Sequence, residues 1–501
     1  MIANIVDYLE ESSAKFPNKT AYADSFSEIT FKDLKEKSKA LASKIAEYKV
    51  SRRPVVVYMD KGINCIVSFL AVAYSGNFYT PIDYEMPIQR INNIMNTLQP
   101  FAIITDRTSL EAAKQIKSDA ELIVFEDVLE TSLVNEALLQ TIRSKMIDTD
   151  PLYVLFTSGS TGTPKGVTIC HRSVIDYIDW VSETFNITEE ERFANQAPFY
   201  FDNSVLDIYC TLRNGSTMFI VPKQYFAFPI KLVEYLNKNE INIIFWVPSI
   251  LCLVANLRTL QASIPQYLKK ILFAGEVMPN KQLNIWRKSI PGALYANLYG
   301  PTEITVDCTY YIVDRDFKDN EPLPIGLPCR NTDILVLNEQ NELVGVGEIG
   351  EICVRGTSLA LGYYNNPEKT AEVFVQNPLN NSYTEIIYRS GDLAKYNDRG
   401  ELLYVSRKDF QIKHMGHRIE LGEIETAVSS LENINLCCCL YDSFSSKIIL
   451  FYQGQADRSY ITKNLKQILP KYMIPNTFKK LDELPLNNNG KIDRQKLKVL
   501  I

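Results

Sequence analysis

Short apolar runs alternate with amphipathic stretches along most of the chain. VVVYM (55–59), FAIIT (101–105), ELIVFE (121–126), STMFIV (216–221) and INIIFWV (241–247) have strand length and are rich in β-branched and aromatic residues. Continuous runs of this kind predict strands buried on both faces. Between them, DLKEKSKALASKIAEY (33–48) and NKQLNIWRKS (280–289) predict amphipathic helices. The alternation implies an α/β body with helices on both faces of largely parallel sheets. From about residue 324, glycine-punctuated strands such as GEIGEICVRG and GELLYVSR predict a smaller β-rich subdomain, reaching to 408. The remaining 409–501 reads as a compact α+β piece. Within it IELGEIETAVSSL (419–431) predicts a helix with acids in its first turn, which suits the helix dipole.

Composition narrows the function classes. The 501 residues, 46% hydrophobic and 22% charged, suit an ordinary globular protein of about three domains. A net charge of −6 provides no basic footprint for nucleic acid. The start, MIANIVDYLEESS, carries acids where a secretory signal needs positive charge, and the longest apolar stretch (65–74) is too short to span a bilayer. A cytoplasmic protein with neither nucleic-acid nor membrane partners is expected. The ten cysteines form no C-x-x-C pair, and His171, His414 and His417 do not sit at zinc spacing beside them. Cys437, Cys438 and Cys439 are consecutive in an apolar run. On a strand they would point to alternate faces, which suits packing better than chelation.

The strongest chemical signal is YVLFTSGSTGTPKGV (153–167). A strand-like run stops at Thr157, Ser158, Gly159, Ser160, Thr161 and Gly162, and Lys165 follows. Small hydroxyl residues and glycines let backbone N–H groups converge on an anion, and the lysine adds a movable positive charge. The spacing is not that of a Walker loop.

This loop resembles the signature loop of the adenylate-forming superfamily, which includes acyl-CoA synthetases, luciferases and the adenylation domains of nonribosomal peptide synthesis. The likeness continues in order along nearly the whole chain: LAVAYSGNFYTPID (70–83), FDNS (201–204), NLYGPTE (297–303), GEICVRGTSLALGYY (350–364), YRSGDL (388–393), SRKDFQIKHMGHRIELGEIE (406–425), LPKYMIP (469–475) and NGKIDR (489–494). It implies an ANL-type fold. A large core of doubly wound mixed sheets would cover 1–408, and a small mobile lid 409–501, with a hinge at Asp409.

The resemblance also implies roles. The loop with Lys165 would hold the β and γ phosphates of ATP. Glu303 would ligate Mg²⁺, a hard cation that prefers carboxylate oxygen. Thr302 would bond the α-phosphate. Tyr299 would stack on adenine, with Gly275 permitting close approach from the other side. Asp392 would hold the ribose hydroxyls, helped by Arg407. Lys491 would bridge the substrate carboxylate and the α-phosphate during adenylation. Rotation of the lid would then withdraw it and present the face around Lys413–His417, where Gly416 leaves room for a pantetheine arm.

Asp202 matches the aspartate that pairs with the α-ammonium group in amino-acid-activating members, a charge-assisted bond. The side-chain pocket carried over by resemblance comprises Asp202, Asn203, Leu206, Phe245, Leu272, Ala274, Leu298, Val306, Asp307 and Lys491. Its apolar middle is similar to proline-activating domains, whereas FDNSVLDIY and FAGEVMP are similar to D-alanine–carrier protein ligases. Asn203 and Asp307 depart from the proline pattern. A buried Asp307 needs a donor, either from the substrate, from water or from the backbone. The implied enzyme is a ligase that activates a small or medium amino acid as aminoacyl-AMP and passes it to the phosphopantetheine thiol of a separate carrier protein. That the carrier is separate is expected because neither a condensation motif nor a carrier segment accompanies the chain. The alternative is an acyl-CoA synthetase acting on a non-amino acid.

Overall fold

The structure, a computed structural model, describes residues 2–159, 164–409, 411–485 and 492–501. Two large sheets form the body. One has nine strands in the order Leu327–Pro328, Thr309–Ile312, Leu294–Tyr299, Lys270–Phe273, Ile243–Trp246, Arg192–Asn195, Thr217–Ile220, Thr20–Ala23 and Glu28–Thr30. Its six central strands are parallel and its edges antiparallel. The other has seven strands, with the parallel set Pro151–Thr157, Phe78–Pro81, Pro54–Tyr58, Ala102–Thr105 and Glu121–Val124. Lys165–Cys170 returns antiparallel to Pro151–Thr157. These strands carry apolar side chains on both faces because helices cover both. Alternation along Ile243–Trp246 and Lys270–Phe273 shows it: Phe245 and Leu272 enter one hydrophobic cluster, Trp246 and Phe273 another.

A five-stranded antiparallel sheet is built from Thr332–Leu337, Gly350–Gly356, Phe374–Gln376, Ile386–Tyr396 and Leu402–Arg407. Beyond it lie a hairpin, Gln411–His414 with His417–Glu420, and a three-stranded sheet with its own core. Cys437, Cys438 and Cys439 occupy successive positions of the strand Ile434–Asp442 and are all buried. Cys437 and Cys439 enter one core cluster and Cys438 another, as strand alternation requires.

Several element boundaries differ from expectation. The run ELIVFE is a strand only to Val124; Phe125–Thr131 is helical, with Glu126 and Asp127 in the first turn where the dipole favours acids. The helix expected from 33 starts at Phe31 because Thr30 caps it, accepting from the Asp33 amide. Ile419 and Glu420 belong to the hairpin, and the helix there runs Leu421–Ser429.

Candidate active site

The serine–glycine loop joins two antiparallel strands, with Thr157 opposite Lys165 at its base. Ser160, Thr161 and Gly162 lie outside the described residues. Ser158 is buried, and its hydroxyl donates to the Arg418 carbonyl at 2.8 Å. The Lys165 ammonium lies 5.2 Å from the centre of the Tyr363 ring. Burial and the nearby Arg418 charge bring its pKa down to about 8, against the pull of Glu303 and Glu420.

Glu303 follows the strand Leu294–Tyr299, on the single turn Thr302–Ile304, and is wholly buried. One carboxylate oxygen accepts from the Tyr363 hydroxyl at 2.7 Å, the other from the Arg418 guanidinium at 2.6 Å. Burial alone would raise its pKa, yet Arg418 and Lys165 hold it down at about 2. A lone carboxylate fits Mg²⁺ in the manner of phosphate-bound magnesium, where substrate oxygens complete the shell. Among the described residues no group of three or more His, Cys, Asp or Glu could hold a metal by itself. With Arg418 in place, both oxygens of Glu303 are already engaged.

Asp392 and Arg407 stand opposite each other on the paired strands Ile386–Tyr396 and Leu402–Arg407, so register alone makes them neighbours. Arg407 donates to Asp392 at 2.9 Å and makes a two-point bond with Asp409 at 2.7 and 2.8 Å. The Tyr299 hydroxyl donates to the other Asp392 oxygen at 2.6 Å. The Lys413 ammonium lies 5.6 Å from the centre of the Tyr299 ring.

Asp202 takes the N-cap position of the helix Asn203–Asn214 but makes no capping hydrogen bond. It lies close to Thr302, Lys413 and Glu303 instead. Burial raises its pKa, while a hydrogen bond from Thr302 and the Lys413 charge act against the rise. Leu206, Phe245, Leu272, Ala274, Leu298 and Val306 gather in one buried cluster. Gly275 adopts φ +93, and a side chain there would meet Val247 and the Asn203 amide at 3.7 and 3.9 Å. Asp307 does find a donor, though neither in the backbone nor on its own element: the Tyr177 hydroxyl, at 2.7 Å, from the helix His171–Thr184.

The hairpin 411–420 closes the site from the other side. The Gly416 amide donates to Glu276 at 2.9 Å, and His417 stacks on Tyr472 with its edge against Phe201. Arg90 pairs with Glu423, both buried, and the nearby Gly159 amide favours the charged form of that glutamate. Lys491 lies outside the described residues. The motifs thus bring Asp202, Thr302, Glu303, Tyr299 and Asp392 to one region, where the Lys413 charge acts on Asp202 and is itself acted on by Asp392. Motif reading missed the partners: Tyr177, Glu276 and the Arg418 side chain. Tyr363 belongs to the run GEICVRGTSLALGYY (350–364), but no local feature of the sequence signals its pairing with Glu303.

Residues 9–364 match the family of AMP-binding enzymes. The chain belongs to that family. This AMP-binding enzyme is 32% identical to a D-alanine–D-alanyl carrier protein ligase from Bacillus cytotoxicus, over 98% of each chain. It is also 32% identical to tyrocidine synthase 1 from Brevibacillus parabrevis, matching over 99% of its own length but only 45% of that protein's. The Vibrio cholerae adenylation domain AlmE, solved with glycyl-adenosine-5'-phosphate, shares the fold: TM-score 0.85 at 20% identity, covering 100% of this chain and 98% of that one.

Proposed function

We propose that the protein is an AMP-forming ligase that activates an α-amino acid with ATP and transfers it to the phosphopantetheine thiol of a separate carrier protein. The observation that carries this reading is the Asp202 carboxylate, left without a capping bond at a helix start and lying close to Thr302. It supplies the counter-charge for a substrate ammonium, a group that fatty and aryl acids lack. ATP binds as a substrate. The phosphate-loop amides and Lys165 hold its β and γ phosphates, Thr302 bonds the α-phosphate, Tyr299 and Gly275 flank the adenine, and Asp392 with Arg407 holds the ribose. Glu303 would hold Mg²⁺, which would supply positive charge against the triphosphate.

In the first step a substrate carboxylate oxygen bonds to the α-phosphorus and the bond to pyrophosphate breaks. Lys491 is the cation aimed at that transition state. In the second, the carrier thiol loses its proton and bonds to the acyl carbon, and AMP leaves. The orientation of 411–485 seen here suits this second step. Arg418, on the hairpin, engages Glu303, the group that the metal of the triphosphate needs, so the hairpin and the metal-bound triphosphate compete for the same carboxylate. Gly416 meanwhile packs against Val247 so closely that an added Cβ would come within 2.8 Å of it.

No described helix is long and apolar enough to cross a membrane, and the reaction belongs where ATP is abundant, in the cytoplasm. ATP–pyrophosphate exchange tests the proposal. Exchange that depends on an α-amino acid, followed by AMP release on adding a phosphopantetheinylated carrier, is expected. Exchange driven by fatty or aryl acids and not by amino acids would make the protein an acyl-CoA synthetase instead.

A further inference from the structure

Asp307 carries a feature that the adenylation reading does not require. Its side chain is 2% exposed, and only one of its oxygens is used, by the Tyr177 hydroxyl at 2.7 Å. The second oxygen, Oδ1, is buried without a hydrogen-bond partner among the described residues. The partner of Asp307, Tyr177, and its chain neighbour Val306 belong to the same apolar cluster as Leu206, Phe245, Leu272, Ala274 and Leu298. The charged groups that act on it are Asp202, which repels it, and Lys413, which attracts it. A buried, half-satisfied carboxylate is unfavourable unless something else arrives to satisfy it.

The backbone holds Asp307 there at a cost. Thr305 and Val306 have φ of +59° and +72°, a region β-branched residues rarely adopt. The Asp307 amide bonds back to the Thr305 carbonyl at 3.1 Å, closing a tight γ-turn about Val306. Thr305 is pinned by its hydroxyl to the Ser358 carbonyl at 2.8 Å, and the Cys308 amide to the Tyr299 carbonyl at 2.8 Å. Strain retained under such constraint is a mark of a functional position. Tyr177 then orients the carboxylate so that Oδ1 is the oxygen left over.

We propose that the free oxygen of Asp307 receives a hydrogen-bond donor on the substrate side chain, so that the enzyme selects amino acids whose side chains end in an amine or hydroxyl. An amine should be preferred, since Asp202 already answers the α-ammonium and a second carboxylate is matched best by a second cation. Apolar substrates such as proline and alanine leave Oδ1 unpaired and are disfavoured. A site built around a buried polar group discriminates strongly against the analogue that lacks the partner, by far more than a missing methylene does. This inference rests on the proposed amino-acid activation and narrows it.

The test is kcat/KM for pyrophosphate exchange with the unaltered enzyme over matched substrates of both configurations. The donor set is serine, 2,3-diaminopropionate, 2,4-diaminobutyrate, ornithine and lysine. The apolar set is alanine, 2-aminobutyrate, norvaline, norleucine and proline. At least one donor substrate should exceed its apolar counterpart by about a hundredfold or more. Asp307→Asn, which keeps an acceptor for Tyr177, should shrink the amine preference at least tenfold. Tyr177→Phe is the second variant, and it should shrink the same preference without abolishing exchange. Exchange confined to apolar amino acids would overturn this inference and leave amino-acid activation standing. Exchange with no amino acid at all would overturn both.

Discussion

Replacing Arg418 with alanine separates the two half-reactions. The guanidinium lies 2.6 Å from Glu303; the side chains are 13% and 0% exposed. Removing one partner of a buried pair typically costs about 3–5 kcal/mol, because the other charge is left buried and unpaired. Tyr363 and Lys165 still serve Glu303, so the lower end, about 3 kcal/mol, applies. That penalty is felt only while the hairpin sits against Glu303. On the proposed rotation of the C-terminal segment, Glu303 would be freed for its metal and Arg418 would be dispensable. At 1.4 kcal/mol per decade, the orientation seen here becomes about a hundredfold less populated. We therefore predict that Arg418→Ala slows aminoacyl loading of the carrier by up to about 10² and leaves amino-acid-dependent pyrophosphate exchange within a few-fold of the parent. Radiolabelled loading and exchange, run on the same preparation, read the two steps. An equal fall in both, or no fall in loading, would refute the claim that this contact belongs to the second step.

Other changes should act in opposite or distinct ways. Lys491→Ala is expected to lower pyrophosphate exchange by about 10²–10³, the typical cost of losing a charge aimed at a transition state, and to spare thiol transfer from preformed aminoacyl-AMP. Asp202→Asn replaces a charge-assisted bond with a neutral one, worth about 1.5 kcal/mol or more, and should weaken amino-acid affinity at least tenfold with ATP affinity unchanged; equilibrium binding of each reads this. At Gly416, φ is +79° and an added Cβ would come within 2.8 Å of Val247, so Gly416→Val should block carrier loading while exchange continues. Burial raises the Asp307 pKa to about 7, so in the native state it keeps its proton above the pH at which the unfolded chain has lost it. Stability contributed by this site therefore falls as pH rises from about 4 to 7 and levels off above. Asp307→Asn should accordingly raise the melting temperature more at pH 8 than at pH 5, and an equal change at both would contradict the shift.

Local pattern was enough to place the main strands and the residues that line the cleft. Asp202, Thr302 and Glu303 sit at the start of a helix or just past the end of a strand, where short motifs define the backbone, whereas Asp392 lies inside the strand Ile386–Tyr396 and is placed by its register opposite Arg407. What the motifs could not convey is how each side chain is answered. Tyr177 reaches Asp307 across 130 residues, and Arg418 reaches Glu303 across 115. Both contacts depend on tertiary placement, and Tyr177 sits on a helix whose amphipathic pattern is accounted for by packing alone. The misplaced boundaries have a similar origin. At 419–420 a hairpin ladder of four residue pairs competes with helix propensity, and the pairing of Gln411 with Glu420 wins. At Phe125 the apolar run continues from the strand while the backbone turns into a helix, so hydrophobicity alone does not mark the change.

The central claim is that an amino acid and a nucleotide meet between Asp202 and Asp392. A crystal structure with a non-hydrolysable aminoacyl-adenylate analogue tests it directly. The account predicts the α-ammonium within hydrogen-bond distance of the Asp202 carboxylate and the ribose hydroxyls on Asp392. An analogue bound with its ammonium directed away from Asp202, or its ribose elsewhere, would contradict it.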